Sequence, residues 1–325
     1  MKLFKCLVTL AFLSSAAIAC PAVAQTYPAK PVRIITPFPP GSGPDAALRL
    51  VGDKLTKAWG QQVVVENRPG GNGFIALQTA KQAAPDGYTL VQVDNYHLAA
   101  HPHLYKTLPY DPVKDFDPVT PLFRNYFFVT VPSTSSWKSM ADLVAAAKAK
   151  PDNLNYGSWF IGSPGHLGAA ALESATGTQM SHVPYKDMNQ LYIAVGANDV
   201  NWAFGSAASA GPLQRAGKVR FLAVAAPRRV AGYMDVPTIA ESGGPASLEV
   251  SAWIGLLTPR GTPKEIIAKL NKDIAAALAD KEIVNRFETF AYEPYPLAPA
   301  DMAKLIEAES RRYGEIVKRS KISLD

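Results

Sequence analysis

The sequence predicts a protein of two α/β domains, and three observations carry that prediction. From residue 25 onward short β-branched runs alternate with helical patterns, as in a parallel or mixed sheet covered by helices. Two strand–glycine loop–helix units share one design, one following Val32–Thr36 and the other following Leu154–Tyr156. Two apolar strands, Phe127–Val131 and Val219–Ala225, read as crossings into a second domain and back. They divide the chain into a discontinuous first domain, 25–128 plus 226–325, and a second domain, 129–225, with a cleft between them. At 325 residues and 48% hydrophobic composition, the chain is long enough for two such cores.

The first 24 residues read as a secretory signal. Lys2 and Lys5 precede the apolar run from Leu7 to Ala19, and Ala22-Val23-Ala24 fits a small-x-small cleavage site. The run is too short for a membrane anchor, so the expected mature protein is exported, periplasmic and soluble. Lipoprotein processing at Cys20 is the weaker reading, because Ala17 stands where a lipobox has Leu. Cys6 and Cys20 are the two cysteines and both lie in this segment. A chain cut after Ala24 therefore has no disulfide, thiolate metal site or cysteine nucleophile. Removing two lysines lowers the formal charge from +6 to about +4, dispersed and without a basic run. That gives no basis for nucleic-acid binding.

Strand Val32–Thr36 leads into Phe38-Pro39-Pro40-Gly41-Ser42-Gly43-Pro44-Asp45 and then a helix with Ala46, Ala47, Leu48, Leu50, Val51 and Leu55 on its apolar side. Glycines at 41 and 43 permit a sharp turn with bare backbone, and Pro44 suits a first helical position. The expected product is a helix N-terminus open to an anion. A tight βα connection with no ligand fits the same pattern. Strand Gln62–Glu66, the loop 67–73, helix Ile75–Lys81 and strand Tyr88–Val93 follow. Asp94-Asn95-Tyr96-His97-Leu98 then reads as a loop at a strand's C-terminal end, where open α/β sheets place ligands.

Val119–Phe123 is a strand before the crossing, and Ser139–Lys148 is a helix stopped by Pro151. In the second domain Leu154–Tyr156 opens into Gly157-Ser158-Trp159-Phe160-Ile161-Gly162-Ser163-Pro164-Gly165-His166, with Ser163 the cap of a helix running to Gly177. His182-Val183-Pro184-Tyr185-Lys186 opens onto a helix 187–195. Strand Val200–Phe204 ends in a small-residue loop, Gly205 to Ser209. Ala252–Leu257 is a buried strand, Thr262-Pro263-Lys264-Glu265 reads as a capping box, and Pro299–Lys318 is a final amphipathic helix.

At this point the chain resembles the Bug-type extracytoplasmic solute receptors of tripartite tricarboxylate transporters. The likeness rests on Tyr27-Pro28-Ala29-Lys30-Pro31-Val32-Arg33, Pro37-Phe38-Pro39-Pro40-Gly41, Val65-Glu66-Asn67-Arg68-Pro69-Gly70 and Ala84-Pro85-Asp86-Gly87-Tyr88. It continues through Leu108–Phe116, His182–Lys186 and Asp235-Val236-Pro237-Thr238, so it spans the predicted mature chain. The resemblance implies a type II-like periplasmic binding protein, two α/β domains joined by two crossing strands, monomeric and without a cofactor. It further implies capture of a carboxylate by hinge closure, with no bond made or broken, and delivery to membrane subunits of the transporter.

Where the family reads Pro-Pro-Gly-Gly-Gly-Thr-Asp, this chain has Pro39-Pro40-Gly41-Ser42-Gly43-Pro44-Asp45. The expected anion donors are Gly41, Ser42 and Gly43 on one side and Ser158, Gly162 and Ser163 on the other. Pro40, Asn95, Tyr185, Gly205 and Ser206 join them by their place at strand ends. Asp45 reads first as a partner of the helix dipole and second as an organiser of the loop. His97 and His166 are either carboxylate donors or structural imidazoles, and Lys186 is either a charge at the cleft mouth or a solvated lysine. Trp159, Phe160 and Tyr96 stand where the family has smaller residues. They either wall a pocket for a bulky or aromatic (terephthalate-like) dicarboxylate or pack the hinge and rim. Arg33, Arg68 and Arg124 read as structural.

Other function classes fit less well. A secreted serine hydrolase needs a nucleophile, base and acid, and no Gly-x-Ser-x-Gly elbow is present. A metal receptor using His97, His101 and His103 is interrupted by Pro102 and lacks an evident further ligand. A receptor that signals instead of transporting is equally compatible with the residues.

Overall fold

The computed structural model describes residues 27–151, 153–186, 188–320 and 323–324. The signal segment, both cysteines and Asp187 lie outside the described residues. The first sheet has the order β11-β4-β10-β3-β1-β2 and the second β7-β6-β8-β5-β9. β1 (Val32–Thr36), β2 (Val63–Asn67) and β3 (Thr89–Asp94) run parallel. β10 (Ser251–Pro259) lies antiparallel between β3 and β4 (Phe116–Tyr126), and β11 (Tyr292–Pro294) closes the edge. In the second sheet β6 (Asn155–Ser158), β7 (Ser181–Pro184) and β8 (Trp202–Gly205) are parallel. β5 (Phe128–Pro132) runs antiparallel to β8 and to β9 (Val219–Val224). Both sheets are mixed, and the alternation in sequence follows from their parallel βα units.

The helices are amphipathic or buried as their patterns require. α1 (Gly43–Trp59) buries Ala47, Leu48, Val51 and Leu55, and Gly60 ends it in a left-handed turn at φ 65°. α2 (Phe74–Lys81) follows the 67–73 loop. The expected loop at 95–98 is instead helical: a π-helical turn, Tyr96–Ala100, continues into α3 (His101–Leu104). α4 (Met140–Ala149) carries a complete capping box between Ser139 and Asp142. The box expected at Thr262–Glu265 does not form. Thr262 Oγ1 donates to the Pro259 carbonyl at 2.8 Å, and α8 (Lys264–Leu278) begins at Pro263 without a side-chain cap. α5 (Pro164–Thr176) and α6 (Met188–Ala197) complete two βα units of the second sheet. A third unit was not anticipated. The small-residue segment after β8 is capped by Ser206 and becomes α7 (Ala207–Arg215). α9 (Lys281–Glu288) and α10 (Pro299–Ser320) return to the first sheet. Among the described residues no helix is long and apolar enough to cross a membrane.

The two sheets join where three backbone segments bond in a ring. Phe127 N–H donates to Val250 O at 3.0 Å, Val250 N–H to Ala225 O at 3.0 Å, and Ala225 N–H to Phe127 O at 2.8 Å. Residues 226–249, assigned from sequence to the first domain, pack on the second sheet. Val230, Val236 and Ile239 enter its core, and Ser242 Oγ accepts the Met140 N–H at 2.8 Å. α10 spans the joint, with Tyr313 and Val317 packed into that same core.

Candidate ligand-binding site

β1, β2 and β3 are parallel neighbours, so the loops that follow them open on one edge of the first sheet. β6 and β8 do the same for the second. The loop before α1 is set by its own hydrogen bonds. Ser42 N–H donates to Pro39 O at 3.1 Å and its hydroxyl to the same carbonyl at 2.7 Å. Asp45, 2% exposed, accepts Gly41 N–H at 2.9 Å and Asn67 Nδ2 at 2.8 Å, and pairs with Arg49 at 3.0 Å. Burial opposes its charge, but the bonds from Arg49, Asn67 and Gly41 outweigh it and hold the carboxyl below its ordinary range. Asp45 is thus a loop organiser, the second of its two sequence readings. Gly41 and Ser42 cannot both offer their amides to a ligand, as expected from sequence, because those hydrogens are already used. Gly41, at φ 78°, and Pro40 are exposed at the tip. The Gly43 N–H remains at the helix end.

Across the cleft α7, not α5, faces this end. A Cβ built on Gly43 would come to 2.9 Å from Ala208 Cβ in the first turn of α7 and 2.2 Å from Tyr292 Oη. Gly205 and Ser206 place that turn. Gly205 is packed so closely that a Cβ would meet Thr130 Oγ1 at 2.6 Å. Ser206 Oγ accepts the Ser209 N–H at 3.2 Å. Two positive helix ends from different sheets therefore meet at one point.

The β6–α5 loop lies elsewhere along the edge. A Cβ on Gly162, at φ 81°, would stand 2.7 Å from Leu104 Cδ1, and Ser163, fully buried, caps α5 by accepting His166 N–H at 3.3 Å. Ser158 is buried and donates to Phe160 O at 2.9 Å. Its single hydrogen being used, the 2.7 Å contact with His182 Nε2 takes its hydrogen from the imidazole. That polarity is the reverse of nucleophile activation, and Ser158 has no hydroxyl hydrogen left for a carboxylate. Tyr185 is half-buried and its N–H donates to Ser158 O at 2.8 Å, while Lys186 is exposed.

Several expected ligand contacts are structural. Asn95 Nδ2 donates to Glu309 at 2.9 Å and to Tyr313 Oη at 3.2 Å, which fixes α10 to the first domain. Tyr96, 3% exposed, packs on the Tyr313 ring at 5.0 Å between centroids. Trp159, 4% exposed, stacks on Phe127 at the joint, 5.4 Å away, and its edge would meet a Cβ on Gly165 at 2.8 Å. Phe160 is half-buried against the same core. The aromatics therefore pack the joint, and the reason for expecting a planar aromatic ligand falls away.

The histidines are also committed. His97 Nδ1 lies 2.5 Å from Asp94, whose carboxyl is buried yet held below its ordinary range by His97 itself. Nδ1 is thus engaged by Asp94, and Nε2 is pressed on Gly73, where a Cβ would stand 2.1 Å away, so neither ring nitrogen is open to a carboxylate. His166 Nδ1 accepts Gly162 N–H at 2.9 Å, and its ring stacks on His182 at 3.9 Å and 6°. It borders a cavity of ≈ 420 Å³ with Tyr156, Glu173 and Arg319, apart from the α1–α7 contact. Burial, and then the neighbouring His182, lowers its pKa to about 3. His101 bonds Tyr110 at 3.1 Å whereas His103 reaches Ser310 at 2.9 Å, so the three histidines of the metal reading do not converge. Among the described residues no group of three such side chains is placed to hold a metal.

Sequence reasoning singled out Gly205 and Ser206 but not the helix they open, and it did not single out Tyr292. Gly211 and Pro212 hide the helix, and Tyr292 sits in a three-residue strand with no periodicity. Neither has a local sequence signal.

The model of the tripartite tricarboxylate transporter family receptor, TctC, matches residues 47–322. BugT of Bordetella pertussis is 30% identical over 310 residues, 95% of each chain. R. palustris Rpa4515, solved with adipate, is 32% identical with a TM-score of 0.85, covering 91% of this chain and 99% of that one. MatC of Rhodopseudomonas palustris, solved with bound malate, is 30% identical with a TM-score of 0.79, covering 90% of this chain and all of the other. This chain belongs to the TctC family of tripartite tricarboxylate transporter receptors, the Bug-type solute-binding proteins.

Proposed function

We propose that the protein is a periplasmic receptor that captures an aliphatic dicarboxylate between its two domains and presents it to membrane subunits of a tripartite transporter. The observation that carries this reading is the meeting of the α1 and α7 N-termini at Gly43 and Ala208. Two helix ends offer backbone donors and partial positive charge, which suits a carboxylate without burying a full cation. The adipate and malate bound to relatives support a flexible aliphatic acid. One carboxylate sits at this contact and the other end extends toward the β6–α5 loop. The pivot is the ring of Phe127, Ala225 and Val250, so residues 226–249 move with the second sheet. Closure brings α7 onto α1 and excludes water from the ligand. The protein acts as a monomer, and binding involves no covalent step.

A thermal-shift and calorimetric screen tests this with malate, adipate, aromatic dicarboxylates and acidic amino acids. Ligand at about 100 times its Kd adds about 2.7 kcal/mol and raises the midpoint by a few degrees. A response confined to the aliphatic dicarboxylates is expected. No response to any carboxylate, with co-purified ligand excluded by mass spectrometry of denatured protein, overturns the reading.

A further inference from the structure

We propose that Tyr292 is a ligand-binding residue whose hydroxyl donates a hydrogen bond to the carboxylate held at the ends of α1 and α7. This rests on the carboxylate-receptor reading above and adds a side-chain donor from a third element, β11.

The ring of Tyr292 is only 4% exposed and has little freedom. It stacks on Phe123 at 4.0 Å and 9°, meets Phe287 edge-on at 6.0 Å, and is flanked by Phe290 at 5.4 Å. Those contacts aim its hydroxyl at the point where the two helices meet, 2.2 Å from the Cβ position of Gly43. Among the described residues that hydroxyl has no hydrogen-bond partner. Tyr192, whose charge is felt at Tyr292, donates to Phe204 O at 3.3 Å and makes no hydrogen bond to Tyr292. Among the described residues the buried polar side-chain atoms without a partner are Arg124 Nε and Trp202 Nε1, so the Tyr292 hydroxyl is not sealed in the core but open at the contact. Here it points at two helix N-termini, a place that attracts an acceptor-only anion. Burial raises the Tyr292 pKa, so the phenol stays protonated and remains a donor throughout the physiological range.

The same geometry accounts for glycine at 43. Its φ is not in the left-handed region, so backbone conformation does not demand glycine there. Any side chain at that position would occupy the space before the Tyr292 hydroxyl and hold α7 away from α1.

The test is calorimetry on the full mature chain with aliphatic dicarboxylates of four to six carbons, malate and adipate among them. Wild type, Tyr292→Phe and Gly43→Ala are compared, with the midpoint of each ligand-free protein measured in parallel. Tyr292→Phe is expected to weaken binding 10- to 100-fold while the ligand-free midpoint is unchanged or rises, because the lost hydroxyl had no partner. Wild-type affinity in Tyr292→Phe, with binding lost in Gly43→Ala, overturns the role of Tyr292 and leaves the receptor reading standing. A drop of several degrees in the ligand-free Tyr292→Phe protein makes the hydroxyl structural and also overturns it. If wild type binds none of these acids, the site reading and the role of Tyr292 fall together.

Discussion

Asp45 Oδ2 accepts the backbone N–H of Gly41 at 2.9 Å, so a carboxylate in the first turn of α1 folds the preceding loop back onto its own helix. Arg49 and Asn67 neutralise and orient it. Asp45→Asn keeps the shape but replaces an acceptor with a donor facing Asn67 or Gly41. The expected result is a loss of about 1–3 kcal/mol in stability, with weaker dicarboxylate binding, measured by denaturant unfolding and calorimetry. An unchanged midpoint would mean that the loop holds its form without this carboxylate.

Gly43→Val should remove binding while sparing most of the fold. The added carbons collide with Tyr292 and Ala208, which belong to opposite sides of the cleft, and the clash is relieved if α7 withdraws from α1. Near-wild-type far-UV circular dichroism with no calorimetric signal is expected. Normal affinity would move the site away from α1.

Trp159→Ala separates packing from ligand contact. Since the ring stacks on Phe127 at the joint, the substitution should cost about 3–5 kcal/mol of stability. Trp159→Phe should restore most of it, with dicarboxylate affinity near wild type. A stable Trp159→Ala protein that no longer binds would return this residue to the pocket.

Acidification should destabilise the protein well above the carboxylate range. Burial lowers the pKa of His101 and His166 to about 3, against an ordinary 6.5 in the unfolded chain. Between those values the unfolded state binds more protons, so their penalty is absent above pH 6.5 and grows as pH falls toward 3. From pH 7 to 5 each group contributes about 2 kcal/mol of lost stability. Urea midpoints across this range should fall, and His166→Gln should flatten the profile. A flat wild-type profile would contradict the buried neutral state of both rings.

The α/β plan with two sheets was legible because each parallel βα unit writes its own alternation and glycine punctuation into the chain. The β1–α1 loop was read correctly as a helix end, since Gly41, Gly43 and Pro44 constrain the backbone locally. Its partner across the cleft was not legible. Ser163-Pro164 advertises the start of α5, whereas α7 contains Gly211 and Pro212 and resembles a loop. Strand-end positions also say nothing about direction. Asn95, Tyr96 and His97 sit where ligands gather in such sheets, but α10, more than two hundred residues onward, turns Asn95 and Tyr96 inward. The local pair with Asp94 fixes His97. Tyr292 depends entirely on tertiary stacking with Phe123 and Phe287, which no spacing in the sequence encodes.

The ring of bonds joining Phe127, Ala225 and Val250 bears on how fast the protein can work. Each bond runs between backbone groups at the joint itself, so in the proposed hinge motion small torsional changes on either side would turn one sheet against the other with all three intact. On the proposed closure, opening would break none of these bonds, and its tempo would be set by the surfaces that separate, around Gly43 and Ala208 and along α10. Ligand release would be governed by the grip at the mouth, and substitutions there would alter residence time while the axle kept its stiffness.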